Sequence, residues 1–277
     1  MHFYATELKT SLLFLRSFGD FAIALGVIAQ SKNHQSKYRF LASTHLQPLY
    51  QALIARYTHL DLGLEFIDFQ IRNKILGAFT NKHLVDAHSL LELKMLKKVV
   101  DAEALQSNVL FEQKRRQWLI RPLMNSNGYI HASGNIYSSY ARHFNVSEEH
   151  LLFSQTQTDP SVRKRVMIFP ESRKRVKQLP QETVMQLIEE QTSLGNVPEL
   201  AFFKHKPYDV SVNVNLHDSF TDLLDLIHES DEIITADSLP AHLAQLMRKP
   251  HQIYYPKAID REWITPYSKA HQTAKVF

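Results

Sequence analysis

Short apolar runs alternate with helical segments along the chain, and the alternation occurs in two successive series. In the first series, residues 11–16 predict a buried strand and residues 21–31 a largely apolar helix. In the second, residues 165–169 predict a strand and residues 180–193 a helix with proline in its first turn. Strands that alternate with helices form parallel sheets covered by helices. The pattern therefore predicts an α/β protein with two Rossmann-like domains.

A polar segment with one proline, residues 154–163, separates the two series and lacks apolar periodicity. It predicts a boundary between an N-terminal domain, residues 1–158, and a C-terminal domain, residues 159–277. A chain of 277 residues is long enough for two such domains. Within the second domain, residues 210–214 alternate in the manner of a further strand. We expect the two domains to enclose a cleft.

Composition narrows the surroundings and partners of the protein. The sequence has no cysteine, which excludes disulfides and thiolate metal sites and is typical of a reducing compartment. It has no uninterrupted apolar run of about 18 residues and no signal-peptide pattern, so a cytoplasmic location is expected. The formal net charge of +4 favours anionic partners such as phosphates, nucleotides or acidic lipid headgroups. Basic and aromatic residues do not interleave, so nucleic acid is not an expected partner.

The first candidate site follows the first predicted strand, where Gly19 and Asp20 precede the apolar helix. Ligands of open α/β sheets bind at the carboxyl ends of the strands. There Asp20 could accept a proton from a substrate hydroxyl, as a general base. Aspartate is also a favoured N-cap residue, and on position alone a capping role is the more common one.

The second candidate site is a basic segment at the start of the second series. Residues 163–177 contain seven basic residues and one acidic residue. Ser172 and Lys177 flank the end of the predicted strand and the start of the predicted helix. A hydroxyl and an ammonium at such a place can hold a diphosphate. For the remaining charges a solvated loop is the simpler explanation.

The third candidate site lies where a predicted strand, residues 232–235, leads through Asp237, Ser238 and Pro240 into a helix. The helix N-terminus offers free N–H groups and the positive end of the dipole to an anion. His242 would face the same end from the first helical turn. Alternatively, Asp237 or Ser238 is an ordinary N-cap and His242 a packing residue.

Motifs for several other chemistries are missing. The sequence contains no GxGxxG fingerprint, no P-loop motif and no HExxH. Its 15 histidines are scattered, and His83 and His88, five residues apart, do not share a helix face. We therefore predict no metal site and no cofactor.

Taken in order, the three segments resemble the glycosyltransferases of the ADP-heptose:lipopolysaccharide heptosyltransferase type (glycosyltransferase family 9). That family begins with a strand, a short loop ending in Gly-Asp and an apolar helix, which residues 12–20 match. Its second domain begins with a strand, a proline-containing loop with a small hydroxyl residue and Lys-x-Trp-Pro, matched by residues 169–172 and 177–180. Its last motif, Asp-Ser/Thr-Gly-x-x-His-Leu-Ala, is matched by residues 237–244. The resemblance covers nearly the whole chain and implies the GT-B fold, two Rossmann-like domains with a cleft between them.

The resemblance implies metal-independent transfer of heptose or another sugar from a nucleotide-diphosphate donor to a lipopolysaccharide or surface-glycan acceptor. Asp20 matches the general base proposed for the acceptor hydroxyl. Ser172 and Lys177 match residues that hold the donor phosphates, and Lys177 would also stabilise the leaving group. Three further residues match positions that bind the diphosphate and the sugar: Asp237, Ser238 and His242. A glycolipid or oligosaccharide acceptor implies peripheral association with the cytoplasmic face of the inner membrane.

The sequence departs from the family at positions where the family has glycine or tryptophan. Leu239 replaces the glycine after Asp-Ser, Glu171 replaces the glycine after the second-domain strand, and Leu179 replaces the tryptophan. Glycine lets a backbone approach a phosphate closely, so a leucine side chain or a glutamate charge would interfere. The alternative hypothesis is a GT-B-shaped pseudo-enzyme that serves as a binding or assembly partner. A nucleotide-sugar epimerase of similar architecture is a third hypothesis, without specific support.

Overall fold

The chain folds into two α/β units, each built on its own parallel sheet. The computed structural model describes residues 9–15, 17–32, 34–67, 87–112, 128–130, 134–154, 162–204, 210–257 and 263–277. The first unit comprises residues up to Phe21 together with Val27–Val146, and the second comprises Ala22–Gly26 together with Ser147–Phe277. The predicted fold class, two Rossmann-like α/β units, is confirmed. Residues 155–161 lie outside the described residues, so the domain limits at residues 158 and 159 stay a proposal.

The described strands of the first unit form a five-stranded sheet in the order β3-β2-β1-β4-β5. Every neighbouring pair in it is parallel. Its strands are β1 (Thr10–Phe14), β2 (Tyr38–Ser43), β3 (Glu65–Ile67), β4 (Asn108–Phe111) and β5 (Gly128–Tyr129). Its helices are α1 (Phe18–Ile28), of which Ala22–Gly26 is grouped with the second unit, α2 (His34–Lys37), α3 (Gln47–Arg56), α4 (Ala87–Ala104) and α5 (Ile136–His143).

The second unit has a six-stranded sheet in the order β11-β10-β9-β6-β7-β8, again with parallel neighbours throughout. Its strands are β6 (Arg165–Phe169), β7 (Val197–Phe203), β8 (Val214–His217), β9 (Glu232–Ala236), β10 (His251–Tyr255) and β11 (Ala274–Val276). Its helices are α6 (Gln181–Ser193), α7 (Phe220–Glu229), α8 (Leu239–Leu246) and α9 (Pro266–Ala270). Read along the chain, the strands run outward from β6 to one edge and then from β9 to the other.

The central strands are apolar along most of their length because helices cover both faces of a parallel sheet. In β1, Leu12, Leu13 and Phe14 are fully buried. In β6, Val166, Met167 and Ile168 are equally buried. Continuous apolar runs of this kind are what made these strands predictable. Each sheet therefore lies inside its unit and presents its strand ends, rather than its faces, for binding.

Two predicted elements are displaced in the structure. The apolar helix begins at Phe18 rather than at residue 21, because the amide of Phe21 already donates to the carbonyl oxygen of Ser17 at 3.0 Å. The strand predicted for residues 210–214 is wrong, since β8 covers Val214–His217. Val210 and Val212 pack at the margin of the core, so their alternation reflects loop packing rather than sheet pairing.

Within the described residues, no helix is both long enough and apolar enough to cross a membrane. The longest of them, α4, has 18 residues and contains several charged side chains.

Candidate functional site

The centre of the second sheet is a topological switch point. Strands β6 and β9 are neighbours, with Phe169 opposite Thr235, yet the chain leaves β6 in one direction and returns at β9 to continue in the other. Crevices at such reversals, outside the carboxyl ends of the strands, are where open α/β sheets bind their ligands. The residues that follow β6 and β9 are the ones that face this position.

Two residues predicted from sequence meet here as an ion pair. The ammonium nitrogen Nζ of Lys177 contacts the carboxylate oxygen Oδ2 of Asp237 directly. The two side chains are 16% and 9% exposed. Coulombic attraction is stronger in such a poorly solvated place than at the open surface. A positive group is thus held at the switch point by a carboxylate from the neighbouring strand end.

Backbone hydrogen bonds fix the loop that carries Lys177. Lys177 ends a short 3-10 turn, and the amide of Leu179 then donates to the carbonyl oxygen of Pro170 at 2.9 Å. The side-chain amide of Gln178 donates to the carbonyl oxygen of Ser172 at 3.2 Å. Asp237 is fixed separately, because its amide donates to the carbonyl oxygen of Tyr254 at 3.0 Å.

His242 is a buried, neutral histidine close to the ion pair. It lies near the start of α8 and is 5% exposed. Burial lowers the pKa of His242 to about 4; the negative charge of Asp237 opposes this shift and the positive charge of Lys177 reinforces it. These interactions place the imidazole within electrostatic range of both partners. At neutral pH it can donate one hydrogen bond and accept another without adding charge.

Ser238 precedes α8 but does not cap it with its side chain. Its hydroxyl donates instead to the carbonyl oxygen of Ala236 at 3.2 Å. Ser238 is thus the N-cap residue of α8 by position, as the alternative interpretation predicted, but its side chain makes no capping hydrogen bond. The backbone enters the helix through Leu239 and Pro240, and proline has no amide proton to satisfy.

The structure places Ser172 in the Lys177 loop, half-buried. The hydrogen bond from Gln178 uses its carbonyl oxygen rather than its hydroxyl. Glu171, the residue in place of a family glycine, turns its carboxylate toward β7, where it accepts a hydrogen bond from the amide of Phe203 at 2.6 Å. Leu179, in place of tryptophan, is 1% exposed and belongs to the core. Both replacement residues thus make contacts within the second unit: Glu171 accepts a hydrogen bond and Leu179 packs in the core.

Asp20, the candidate in the first unit, lies in the first turn of α1 and is 6% exposed. Since the helix begins at Phe18, Asp20 does not precede it, and the N-cap interpretation of this residue is wrong. A carboxylate in the first turn still interacts favourably with the helix dipole. The turn follows β1, the strand at which the order of the first sheet reverses.

Sequence reasoning missed Glu112, which directly follows β4 and is 1% exposed. Its carboxylate oxygen Oε1 accepts a hydrogen bond from the amide of Leu15 at 3.0 Å. Strands β1 and β4 are the pair that flanks the reversal of the first sheet. An acidic residue closing an otherwise apolar strand was the available signal.

Among the described residues, no three histidine or acidic side chains gather closely enough to form a metal site.

A parallel sheet with polar and charged side chains at its central carboxyl ends defines the Rossmann-like class of ligand-binding units. No family model matches the sequence, and no curated protein matches it either. Solved structures do match, and they identify a narrower fold.

The fold is that of heptosyltransferases and a family 9 glycosyltransferase. E. coli heptosyltransferase WaaC with ADP-2-deoxy-2-fluoro heptose matches with a TM-score of 0.56 and 13% identity, over 97% of this chain and 92% of that chain. E. coli ADP-heptose lipopolysaccharide heptosyltransferase II matches with a TM-score of 0.57 and 14% identity, over 97% and 90%. The family 9 glycosyltransferase of Veillonella parvula matches with a TM-score of 0.59 and 14% identity, over 97% and 86%. At such low identity the similarity establishes the fold.

Proposed function

We propose that the protein is a glycosyltransferase that moves a sugar from a nucleotide-diphosphate donor to a lipopolysaccharide or other surface-glycan acceptor. The observation that carries this proposal is the Lys177–Asp237 ion pair beside neutral His242 at the switch point of the second sheet. The fold supports it, since structural neighbours include heptosyltransferases, one of them solved with ADP-2-deoxy-2-fluoro heptose.

The donor would bind at the second unit. Transfer breaks the bond between the anomeric carbon and the diphosphate oxygen, so negative charge builds up on the leaving nucleoside diphosphate. Lys177 would stabilise that charge from a fixed position in a poorly solvated site. Asp237 would hold the ammonium in place, while Ser238 and His242 would hydrogen-bond to the diphosphate and the sugar. Ser172 would contribute a hydroxyl from the same loop as Lys177.

The acceptor would be activated at the first unit. A sugar hydroxyl is a weak nucleophile until its proton is removed. Asp20, a carboxylate following the central strand of the first sheet, would accept that proton as the hydroxyl attacks the anomeric carbon. With Lys177 supplying the positive charge, the proposed transfer requires no metal ion, and we expect turnover to persist in excess EDTA.

One observation favours the alternative, a pseudo-enzyme that binds without transfer. Leu239 occupies the first position of α8, where a glycine would let the backbone approach a phosphate closely. A site narrowed in this way would still bind a nucleotide but hold the diphosphate farther from Lys177. The two functions differ in turnover, not in fold.

The first prediction concerns Lys177. Lys177→Ala should weaken binding of nucleoside diphosphates by about 10- to 100-fold, because a hydrogen bond to a charged group is lost, and should leave binding of the nucleosides unchanged. Isothermal titration calorimetry at fixed salt, with ADP, UDP and GDP against their nucleosides, measures both effects. Lys174→Ala, an exposed lysine of the same loop, is the matched control and should bind like the wild type.

Removing Lys177 also leaves Asp237 buried without its cation, so a second variant is needed. Lys177→Met combined with Asp237→Asn keeps the site neutral and should show the same loss of diphosphate affinity. Diphosphate binding equal to wild type in both variants would contradict the donor site. A nucleotide sugar that binds the wild type tightly but is neither transferred nor hydrolysed, with or without Mg²⁺, would favour the pseudo-enzyme.

A further inference from the structure

Glu112 is a buried carboxylate that the proposed chemistry does not use. It follows β4 in the first unit and is 1% exposed, although burying a carboxylate is costly unless its hydrogen bonds are made. The register of β1 and β4 ends at Leu13 and Phe111. One residue beyond it, the amide of Glu112 donates to the carbonyl oxygen of Leu13 at 3.1 Å. The side chain of Glu112 therefore starts from a fixed point at the carboxyl edge of the sheet.

The carboxylate extends the connection between the two strands past the end of the sheet. Oxygen Oε1 accepts the amide proton of Leu15 at 3.0 Å, so a side chain takes the part of the next carbonyl oxygen. Leu15 is 2% exposed, so water cannot replace Glu112 as the acceptor for its amide. The main chain that leaves β1 is held at its first residue by Glu112.

This attachment lies just before the turn that carries Asp20. Only residues 16 and 17 separate Leu15 from Phe18, the first residue of α1. The amide of Phe21 then closes the first turn on the carbonyl oxygen of Ser17. Asp20 therefore lies in a closed helical turn that begins three residues after the held Leu15.

We propose that Glu112 is a positioning residue that sets the location of Asp20 through the Leu15 amide, an inference that rests on the proposed function. A general base contributes fully only when it is held in hydrogen-bonding reach of the proton it removes, and a misplacement of about 1 Å can cost on the order of 100-fold in rate. An apolar residue at position 112 would avoid burying a charge but would leave the Leu15 amide without this acceptor.

Glu103, which lies beside the opposite end of β1, offers a matched control. Glu103 accepts hydrogen bonds from the hydroxyl of Ser11 at 3.0 Å and from the guanidinium of Arg39 at 2.9 Å. Its side chain is 13% exposed. Ser11 lies near the start of β1, whereas Leu15 follows its end. Glu103→Ala thus removes a half-buried carboxylate beside β1 without touching the segment that leads to Asp20.

The experiment compares Glu112→Ala, Glu112→Gln and Glu103→Ala in the full chain, well below the unfolding temperature of each. Glu112→Ala should lower kcat about 10- to 100-fold with the donor KM unchanged within a factor of about three. Glu112→Gln keeps an oxygen for the Leu15 amide and should restore kcat to within a few-fold of wild type. Glu103→Ala should lower thermal stability and leave kcat unchanged.

Hydrogen exchange provides a second readout that does not depend on turnover. Peptides covering residues 12–21 should exchange faster in Glu112→Ala than in wild type, and at the wild-type rate in Glu112→Gln and Glu103→Ala. Unchanged exchange in Glu112→Ala, or a kcat loss that Gln does not restore, would overturn the positioning role. A wild-type protein that binds a donor but transfers nothing would instead overturn the proposed function, while the exchange data still decide whether Glu112 holds this segment.

Discussion

His242 and His251 are two neutral histidines enclosed in the second unit, and they make its stability sensitive to acid. His251 is 1% exposed; its Nδ1 donates to the carbonyl oxygen of Lys249 at 2.8 Å, and its Nε2 accepts from the hydroxyl of Thr265 at 2.7 Å. Burial lowers the pKa of each histidine to about 4. In the unfolded chain both would titrate near 6.5.

Acid should therefore destabilise the protein in a defined window. Well above pH 6.5 both histidines are neutral in the folded and the unfolded state, so pH has no effect on stability through these groups. As the pH falls from 6.5 toward 4, the unfolded chain takes up protons that the folded chain does not, at a cost on the order of 3 kcal/mol per histidine across the window. Urea unfolding at pH 7.5, 6.5 and 5.5 measures the slope.

A variant at His251 isolates the cause of that slope. His251→Gln should reduce the slope by about one proton, because one depressed titration is removed. A free energy of unfolding that does not change between pH 7.5 and 5.5 would show that neither buried histidine is linked to folding.

The role of Asp20 distinguishes the glycosyltransferase hypothesis from the pseudo-enzyme hypothesis. Asp20→Asn preserves the shape of the side chain in the first turn of α1 and removes its charge from the helix N-terminus, so stability should fall by about 1 kcal/mol or less. If Asp20 is the general base, turnover should fall by about 100- to 10,000-fold. The measurement is the transfer rate of the purified variant with a donor that binds the wild type. Activity within a few-fold of wild type would eliminate Asp20 as the base.

The residues of the site could be predicted from sequence only where the end of a strand could be predicted. Lys177 and Asp237 could be selected because each follows an apolar strand and precedes a helix. Their direct pairing could not be predicted, since 60 residues separate them in sequence and the contact depends on how β6 and β9 neighbour each other. Glu112 was missed for the same reason: its hydrogen bond is made to the amide of Leu15, just beyond the end of the neighbouring strand β1.

At the scale of elements, a network of hydrogen bonds around Arg165 and Glu199 connects the strands at the amino-terminal edge of the second sheet. Arg165, at the start of β6, donates to both carboxylate oxygens of Glu199 on β7 at 3.0 Å. Glu199 also accepts from Asn213 at 3.1 Å and from Asn215 at 2.8 Å. Hydrogen bonds from Arg165 are the main reason that the pKa of Glu199 lies below its ordinary value. The network connects β6, β7 and β8 at the edge opposite the candidate site.

Glu199→Ala should therefore destabilise the protein without affecting the site. The partner guanidinium is 29% exposed, so the loss should be about 2 kcal/mol, less than the 3–5 kcal/mol typical of a fully buried pair. Thermal and urea unfolding check the stability, and calorimetry checks that nucleotide affinity is unchanged. Glu229→Ala, which removes the more exposed partner of Arg165, should have little effect. A loss of nucleotide affinity in Glu199→Ala would contradict the separation of the two edges.

Element identity was easier to predict than element limits. Fully buried strands such as β1 and β6 appear as continuous apolar runs that no other element explains at that length. The start of α1 was misplaced because Asp20 was taken as the residue before the helix, whereas the helix follows Ser17 directly and the carbonyl oxygen of Ser17 accepts from the amide of Phe21. Residues 210–213 were mistaken for a strand because loop residues that pack on a core can also alternate.

At the scale of the whole molecule, the positive charge of the protein affects whether it can bind an anionic membrane that carries the acceptor. The net charge is +4, and Arg173, Lys174 and Arg175 form an exposed basic run in the second unit. Each basic residue near an anionic bilayer contributes about 1 kcal/mol, which falls off within a Debye length. Peripheral association with the cytoplasmic face of the inner membrane, which the resemblance in sequence implies, would therefore be weak and dependent on salt.

Vesicle co-sedimentation tests whether the protein associates with an anionic membrane in a salt-dependent way. The protein should sediment with vesicles containing phosphatidylglycerol at low ionic strength, remain in the supernatant with phosphatidylcholine alone, and be released at about 0.5 M salt, where screening is strong. Substitution of Arg173, Lys174 and Arg175 by serine should abolish sedimentation, whereas substitution of the exposed Lys94 and Lys98 should not. No sedimentation of the wild type at low salt would remove membrane association from the proposal and leave the fold and the donor site unaffected.

The Lys177–Asp237 pair also has a consequence for the end of a catalytic cycle. A lysine that is already neutralised by its own aspartate attracts a diphosphate less strongly than a lone ammonium would. The spent nucleotide carries more negative charge on its diphosphate than the donor does, and Asp237 limits the extra attraction of that charge to Lys177. An enzyme built this way would bind its donor modestly, shed the spent nucleotide quickly and suffer little product inhibition.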